Sequence, residues 1–418
     1  MIESSRRWLR QLGPGLITGA ADDDPSGIAT YAQAGAQFGY QLGWTVVLTY
    51  PLMVGIQLVS ARIGRVTGHG LAANIRRRFP RPVLYAIVLM LVVANTINVA
   101  ADIAAMGEAL QLVVGGPEHG HALIFGVLCL LLQVFMPYQR YVRYLKWLTL
   151  ALLAYVAVLF AIAVPWRDVL LGIVWPKIAL TGATLTVIVA VFGTTISPYL
   201  FFWQAAQEVE ELNADPASFA LAHAPEGARE HLRRIKLDTY VGMGFSNLIA
   251  LAIIVSAAAT LHSAGVTDIG TSAQAAEALR PLAGPFAFLL FSLGIIGTGL
   301  LAVPVLAGSA AYAMAETFEW KSGLDLKLIE AREFYAIIAL ATLGGVALDF
   351  TPIDPIKGLF WSAVINGVIA VPIMVVMMLL ADDPEVMGPF TVTRRLKALG
   401  WLATWTMAAA VVAMFATA

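Results

Sequence analysis

Two polar interruptions, each closed by a proline, sit inside otherwise apolar stretches and constrain this chain more than any other feature. The first runs Ala20-Ala21-Asp22-Asp23-Asp24-Pro25-Ser26-Gly27; the second runs Gly193-Thr194-Thr195-Ile196-Ser197-Pro198-Tyr199. Carboxylates at membrane depth are costly and occur where they meet an ion, a proton or a water-filled path. Proline and glycine there free backbone groups that hydrocarbon cannot satisfy but a bound substrate can. Paired breaks of this kind mark the midplane site of a secondary transporter.

The solvent for such a chain has to be mostly lipid. Hydrophobic residues make up 59% of the 418 residues and charged residues only 13%, too few charges to cover a soluble surface of this size. The net charge of -1 gives no basis for nucleic acid as a partner. The single cysteine, Cys129, lies in an apolar run, which excludes disulfides and Cys-based metal clusters and reads as a buried small hydrophobe. Met1 to Arg10 lacks a small-residue cleavage site before the first apolar stretch, so that segment reads as part of a retained span.

At about 20 residues per span, the sequence divides into eleven: roughly 12–38, 42–62, 83–113, 121–138, 144–164, 181–210, 238–261, 284–315, 333–349, 358–381 and 399–417. The connections alternate in basicity. One side takes 22 of the Lys and Arg residues, in groups around Arg6, Arg62 to Arg81, Arg140 to Lys146, Arg229 to Lys236, Lys321 to Arg332 and Arg394 to Lys397. The other side takes the remaining 4: Arg167, Lys177, Arg280 and Lys357. Positive charge stays inside, so the expectation is a multi-pass inner-membrane protein with a cytoplasmic N-terminus and an external C-terminus. The breaks fall in spans one and six, five apart, so the second set of five crosses in the opposite sense to the first. The expected architecture is all-α and polytopic. It is a single membrane domain with an inverted repeat (about 12–164 against about 181–381) and an added helix at about 399–417.

Several motifs resemble one family. Gly13-Pro14-Gly15-Leu16-Ile17, then Asp24-Pro25-Ser26-Gly27-Ile28-Ala29-Thr30 and Gln33-Ala34-Gly35-Ala36, are similar to the first helix of NRAMP-type divalent metal transporters. Ser60-Ala61-Arg62-Ile63-Gly64 resembles the end of their second helix, and Leu237-Asp238-Thr239 with Ala257 to His262 resembles their seventh. The resemblance covers about 12–380. It implies a LeuT-like fold with helices 1 and 6 broken, ion uptake into the cytoplasm and, in typical members, proton coupling. The departures are specific. Gly27 stands at the family's Asn, Thr194 at its Ala, Ser197 at its Met and Tyr199 at its His. Asp102 matches a family acid on the third helix, but its partner acid is replaced by Ala105.

Physically, Asp24-Pro25 and Ser197-Pro198 share a pattern, a capping residue ahead of proline at the first helical position. Each marks a half-helix whose amides and positive dipole end face the break. Asp24 is the expected direct ligand. Asp22 and Asp23 widen an electronegative vestibule, pair with polar helices or serve as further ligands, with Asp24, Asp22 and Thr194 the expected metal set. Gly27, Thr194, Thr195, Ser197 and Tyr199 complete the ion-binding group. Asn98 and Asp102 share a face of the third helix with Asn95, and these residues, Gln204 and Asn366 are expected as pathway or supporting groups.

Losing the thioether removes the soft ligand that favours transition metals, and oxygen donors remain. That set, with the space at Gly27, suits a hard ion that keeps several waters, with Mg²⁺ first and Mn²⁺ second. The expected activity is therefore import of such an ion by alternating access, with weak or no proton coupling. The alternative is a small anion such as bicarbonate held at the half-helix N-termini, with or without a co-transported cation. No catalytic constellation is present, so an enzyme is not expected. No cofactor beyond the transported ion is implied, and the expected partners are the lipid bilayer and that ion, with the protein a monomer.

Overall fold

In the absence of water, backbone groups must bond within their own segment, and the regular structure of the computed structural model is helical throughout the described residues, which are 18–19, 21–136, 148–214, 219–350 and 354–417. The start of the first span and the basic groups at Arg6 and at Arg140 to Lys146 lie outside them. The principal helices are α1 (Pro25–Phe38), α2 (Gly43–Thr67), α3 (Leu71–Arg78), α4 (Arg81–Val114), α5 (Glu118–Phe135), α6 (Leu153–Ala161) and α7 (Trp166–Val174). They continue with α8 (Gly182–Thr195), α9 (Pro198–Ala214), α10 (Ala228–Ala257), α11 (Ala287–Phe318), α12 (Arg332–Asp349), α13 (Pro355–Asp382) and α14 (Arg394–Thr417).

Helix lies over some part of every expected span. By length and apolarity alone, 8 helices among the described residues qualify to cross a membrane, or 9 if the pair around 150–174, bent by 115°, is one span. Two features separate that number from eleven. α1 and α2 run on through a tight turn at Gly39–Leu42 and count as one segment of 43 residues. α12 is only 18 residues long and carries Arg332, Glu333 and Asp349 at its ends.

α4 lies along α11, α12, α13 and α5, while α1 packs against α10, α13 and α8. The closest approach near the site is between α8 and α13: a Cβ on Gly193 would stand 2.0 Å from the Ala363 carbonyl oxygen and 2.5 Å from the Gly367 amide. Small residues let membrane helices approach this closely, where packing rather than water provides the attraction.

Contacts between loops sort the molecule into two ends. At one end Arg62 donates to the carbonyls of Phe390 and Thr391 (2.8 and 3.1 Å), and Lys397 pairs with Asp382 (2.6 Å). Arg78 pairs with Asp383 at the same end, where the Glu385 amide and the Arg78 guanidinium together hold the Asp383 carboxyl below the usual carboxylate range. At the other end Ser272 donates to Glu108 (2.8 Å), and His119 meets Asp349 (2.9 Å). Each tie joins loops that the charge alternation assigns to the same side.

Candidate functional site

The chain is helical at residues 18, 19, 21 and 22, bends at Asp23 and restarts at Pro25. α8 ends at Thr195 and α9 restarts at Pro198. The unwound stretches are therefore shorter than the polar runs 20–27 and 193–199, because proline at the first helical position re-forms helix at once.

The two breaks face each other. The Tyr199 phenol, at the start of α9, donates to the Ala21 carbonyl at 3.0 Å and lies 3.4 Å from Asp24 Oδ2. Asp24 caps α1: its Oδ1 accepts from the Gly27 amide and the Ser26 hydroxyl, both at 2.7 Å. Oδ2 accepts from Asn98 Nδ2 at 3.1 Å, and Asn98 in turn accepts from Ser362 of α13 at 2.7 Å. This chain of bonds ties α1, α4 and α13 together through one carboxylate.

Asp22 and Asp23 share one donor. Ser246 of α10 lies 2.6 Å from Asp22 Oδ2 and 3.0 Å from Asp23 Oδ1, and it has a single proton to give. The other oxygen of each, Asp22 Oδ1 and Asp23 Oδ2, is buried without a hydrogen bond. All three acids are at most 1% exposed, and their hydrogen-bond partners are neutral. Buried carboxylates held only by hydroxyls and amides are under-compensated, which is the electrostatic condition for attracting a cation.

Gly27 is closely surrounded, against the space expected there. A Cβ there would stand 3.1 Å from Thr194 Oγ1, 3.3 Å from the Tyr31 ring and 3.4 Å from the Asp22 carbonyl oxygen. The Thr194 hydroxyl and the Tyr31 phenol lie near one another, yet neither meets hydrogen-bond geometry with protein. Oxygen atoms of Thr194 and Asp22 therefore lie close against Gly27.

Two expected residues give their hydroxyl protons to α8 carbonyls. The Ser197 hydroxyl donates back to the carbonyls of Gly193 and Thr194, at 2.7 and 2.8 Å, closing the end of α8 instead of capping α9. With four unpaired carbonyls at a helix end, that is the stronger local demand. Thr195 does the same within α8, donating to Val191 at 2.9 Å. Gln204 accepts from Thr18 at 2.6 Å and ties the segment before the first break to α9. Asp102 and Asn366 are buried with neither side-chain polar atom hydrogen-bonded. Asn95 is committed to α11, donating to Leu306 O and Ser309 Oγ.

Sequence reasoning missed Ser246, Tyr31, Ser26, Ser362 and Thr18. Helical spacing carried a signal for two of them: Tyr31 stands four residues after Gly27 and Ser362 four before Asn366, each pair on one face. Ser246 and Thr18 touch their partners from distant elements, which spacing does not reveal.

Relatives share this arrangement of elements. The chain resembles the manganese transporter of Eremococcus coleocola, solved as a point mutant, with TM-score 0.76 at 19% identity over 97% of this chain and 86% of that one. It resembles Mhp1, a nucleobase-cation-symport-1 family transporter in a closed conformation, with TM-score 0.59 at 14% identity over 97% and 92%. At these identities the likeness concerns the fold, which is LeuT-like. In sequence it is 28% identical over 406 residues to the divalent metal cation transporter MntH of Deinococcus radiodurans, covering 95% of this chain and 87% of that one. It is 32% identical over 313 residues to the MntH of Erwinia tasmaniensis, covering 72% and 71%. The family described as natural resistance-associated macrophage protein-like matches residues 15–417, so the chain belongs to it.

Proposed function

We propose that this chain carries a hard divalent cation across the membrane, Mg²⁺ ahead of Mn²⁺, by alternating access and with little or no proton coupling. The observation that carries the reading is the set of oxygens around Gly27. The Thr194 hydroxyl and the Asp22 carbonyl pack closely against it, beside three buried carboxylates with neutral partners. Oxygen-only donors suit Mg²⁺, a hard ion. MntH relatives and the Eremococcus coleocola protein are described as divalent cation and manganese transporters, and serine at position 197 in place of the family's methionine moves this site away from soft-metal preference.

Weak coupling follows from Tyr199 at the family's His position and Ala105 at its second acid. The bicarbonate alternative gains less support, because the Tyr199 hydroxyl is engaged with Ala21 and the Ser197 hydroxyl with α8. Direct ligation is assigned to Asp24, Asp22 and Thr194, with Asp23, Asn98, Asp102, Gln204 and Asn366 along the path. The remaining reading is a monomer in the inner membrane, with repeats at about 12–164 and 181–381, a cytoplasmic N-terminus and an external C-terminus.

Liposomes decide among these. Mg²⁺, Mn²⁺ or bicarbonate is offered separately while internal metal and internal pH are recorded. Mg²⁺ entry without acidification is expected. Substrate-dependent acidification on metal entry overturns the uncoupled reading, and alkalinisation with bicarbonate, without metal uptake, overturns the cation reading.

A further inference from the structure

The strongest feature outside the transport path is a cavity of about 470 Å³ at the basic end, where α3 meets the start of α4 and the end of α11. Its walls include Arg76, Arg77, Arg81, Tyr85, Phe318 and Glu319. Three guanidinium groups thus face one carboxylate, and that carboxylate is already engaged, with Glu319 pairing with Arg76 at 2.7 Å. Glu319 is held there by a left-handed backbone (φ 59°), the sole positive φ outside glycine among the described residues. Arg77 and Arg81 are exposed and make no ion pair or hydrogen bond among the described residues. The Arg76 Nε is buried without a partner.

The apolar side of the cavity continues along a membrane span. Tyr85 stacks on Phe318 at 6.3 Å, and Phe318 on Trp320 at 5.0 Å, an aromatic cluster of the kind found at headgroup level. From Tyr85 an exposed apolar stripe runs down α4 through Leu89 and Val93 at intervals of four, one helix face. Leu89 is 64% exposed, as expected of a side chain bathed in lipid tails.

We propose that this cavity binds the phosphodiester headgroup of an anionic glycerophospholipid from the leaflet at the basic end. Arg77 and Arg81 supply bidentate donors to the phosphate. The acyl chains lie along Tyr85, Leu89 and Val93. Continuity with the stripe selects a lipid over a free phosphate, since a free anion gains nothing from an apolar track. Basic pockets between membrane helices take anionic headgroups by this combination of charge and anchoring.

The test uses the purified full chain in zwitterionic nanodiscs or detergent, titrated with phosphatidylglycerol, and reads bound lipid by native mass spectrometry and the thermal unfolding midpoint. Phosphatidylglycerol is expected to bind and raise the midpoint, while phosphatidylcholine does neither. Arg77→Gln and Arg81→Gln, both at exposed positions, should each weaken phosphatidylglycerol binding by about fivefold, and Arg280→Gln at the opposite end should not. Unchanged binding in the Arg77→Gln/Arg81→Gln double variant overturns the proposal, as does equal loss in Arg280→Gln. If inorganic phosphate at matched concentration reproduces the whole shift, the site is a free-anion site and the lipid assignment fails.

Discussion

The two breaks look alike in sequence and do different work in the fold. At the first, Asp24 is bonded to its own helix through Gly27 and Ser26, and to distant helices through Asn98. Asp22 and Asp23 reach α10 through Ser246. At the second, Ser197 and Thr195 return their protons to carbonyls of α8. The first break therefore exports its polar groups into the protein, while the second consumes most of its own. The first break leaves buried charge under-compensated, while the second spends its hydroxyl protons on its own helix end. Thr194 and Tyr199 are the exceptions, and both face the first break.

The widest separation between the two breaks should appear on removing charge. Asp24→Asn keeps a capping oxygen for the Gly27 amide but removes the charge closest to the opposing break. Uptake of Mg²⁺ into liposomes should fall by about a hundredfold or more, since a carboxylate beside a divalent ion in a low-dielectric site outweighs any hydroxyl. The unfolding midpoint should stay near wild type. Unchanged uptake would make Asp24 a cap alone and erase the contrast between the breaks.

Crowding Gly27 comes next. Gly27→Ala places a methyl against Thr194 Oγ1 at 3.1 Å and Tyr31 at 3.3 Å, close enough to displace the Thr194 oxygen that the proposed ion needs. Mg²⁺ uptake should drop by roughly tenfold, about 1.4 kcal/mol in apparent affinity. Combining Gly27→Asn with Ser197→Met should shift preference towards Mn²⁺, measured as the ratio of uptake rates for the two ions. A ratio that does not move would show that donor hardness at these positions does not set selectivity.

The sequence exposes charge and periodicity, and so the broken helices, the apolar spans and the role of Asp24 as a cap were legible in it. Three matters were not. A hydroxyl's direction depends on which carbonyls go unpaired after folding, so the sequence did not show that Ser197 and Thr195 donate to α8 carbonyls. Ser246 acts from more than two hundred residues away from Asp22, and no local pattern announces that pairing. The length of each break depends on how quickly proline restarts a helix, so the unwound stretches came out shorter than the polar runs that mark them.

Removing the Ser197 hydroxyl should cost less than crowding Gly27. Ser197→Ala loses the one proton shared between two α8 carbonyls, at about 1 kcal/mol net for a hydrogen bond of this kind. The effect should register first as a lower unfolding midpoint, with uptake reduced only a few-fold through a looser bend. If uptake collapses while the midpoint holds, Ser197 contacts the ion directly, and the second break is a ligand site after all.

The smallest difference tests the comparison within two adjacent residues. Thr194 and Thr195 are both buried at the end of α8, but only the Thr194 hydroxyl faces Gly27, whereas Thr195 donates to Val191 inside its own helix. Valine matches threonine in shape and differs by the hydroxyl, so each substitution removes an oxygen with little change in packing. Thr195→Val should leave uptake unchanged, because the Val191 carbonyl keeps its bond to the helix backbone. Thr194→Val withdraws an oxygen from beside Gly27 and should lower Mg²⁺ affinity by about threefold to tenfold, the range of one neutral donor. The check is the concentration dependence of uptake for both variants side by side. Equal effects, in either direction, would mean that the ion does not sit against the Thr194 hydroxyl.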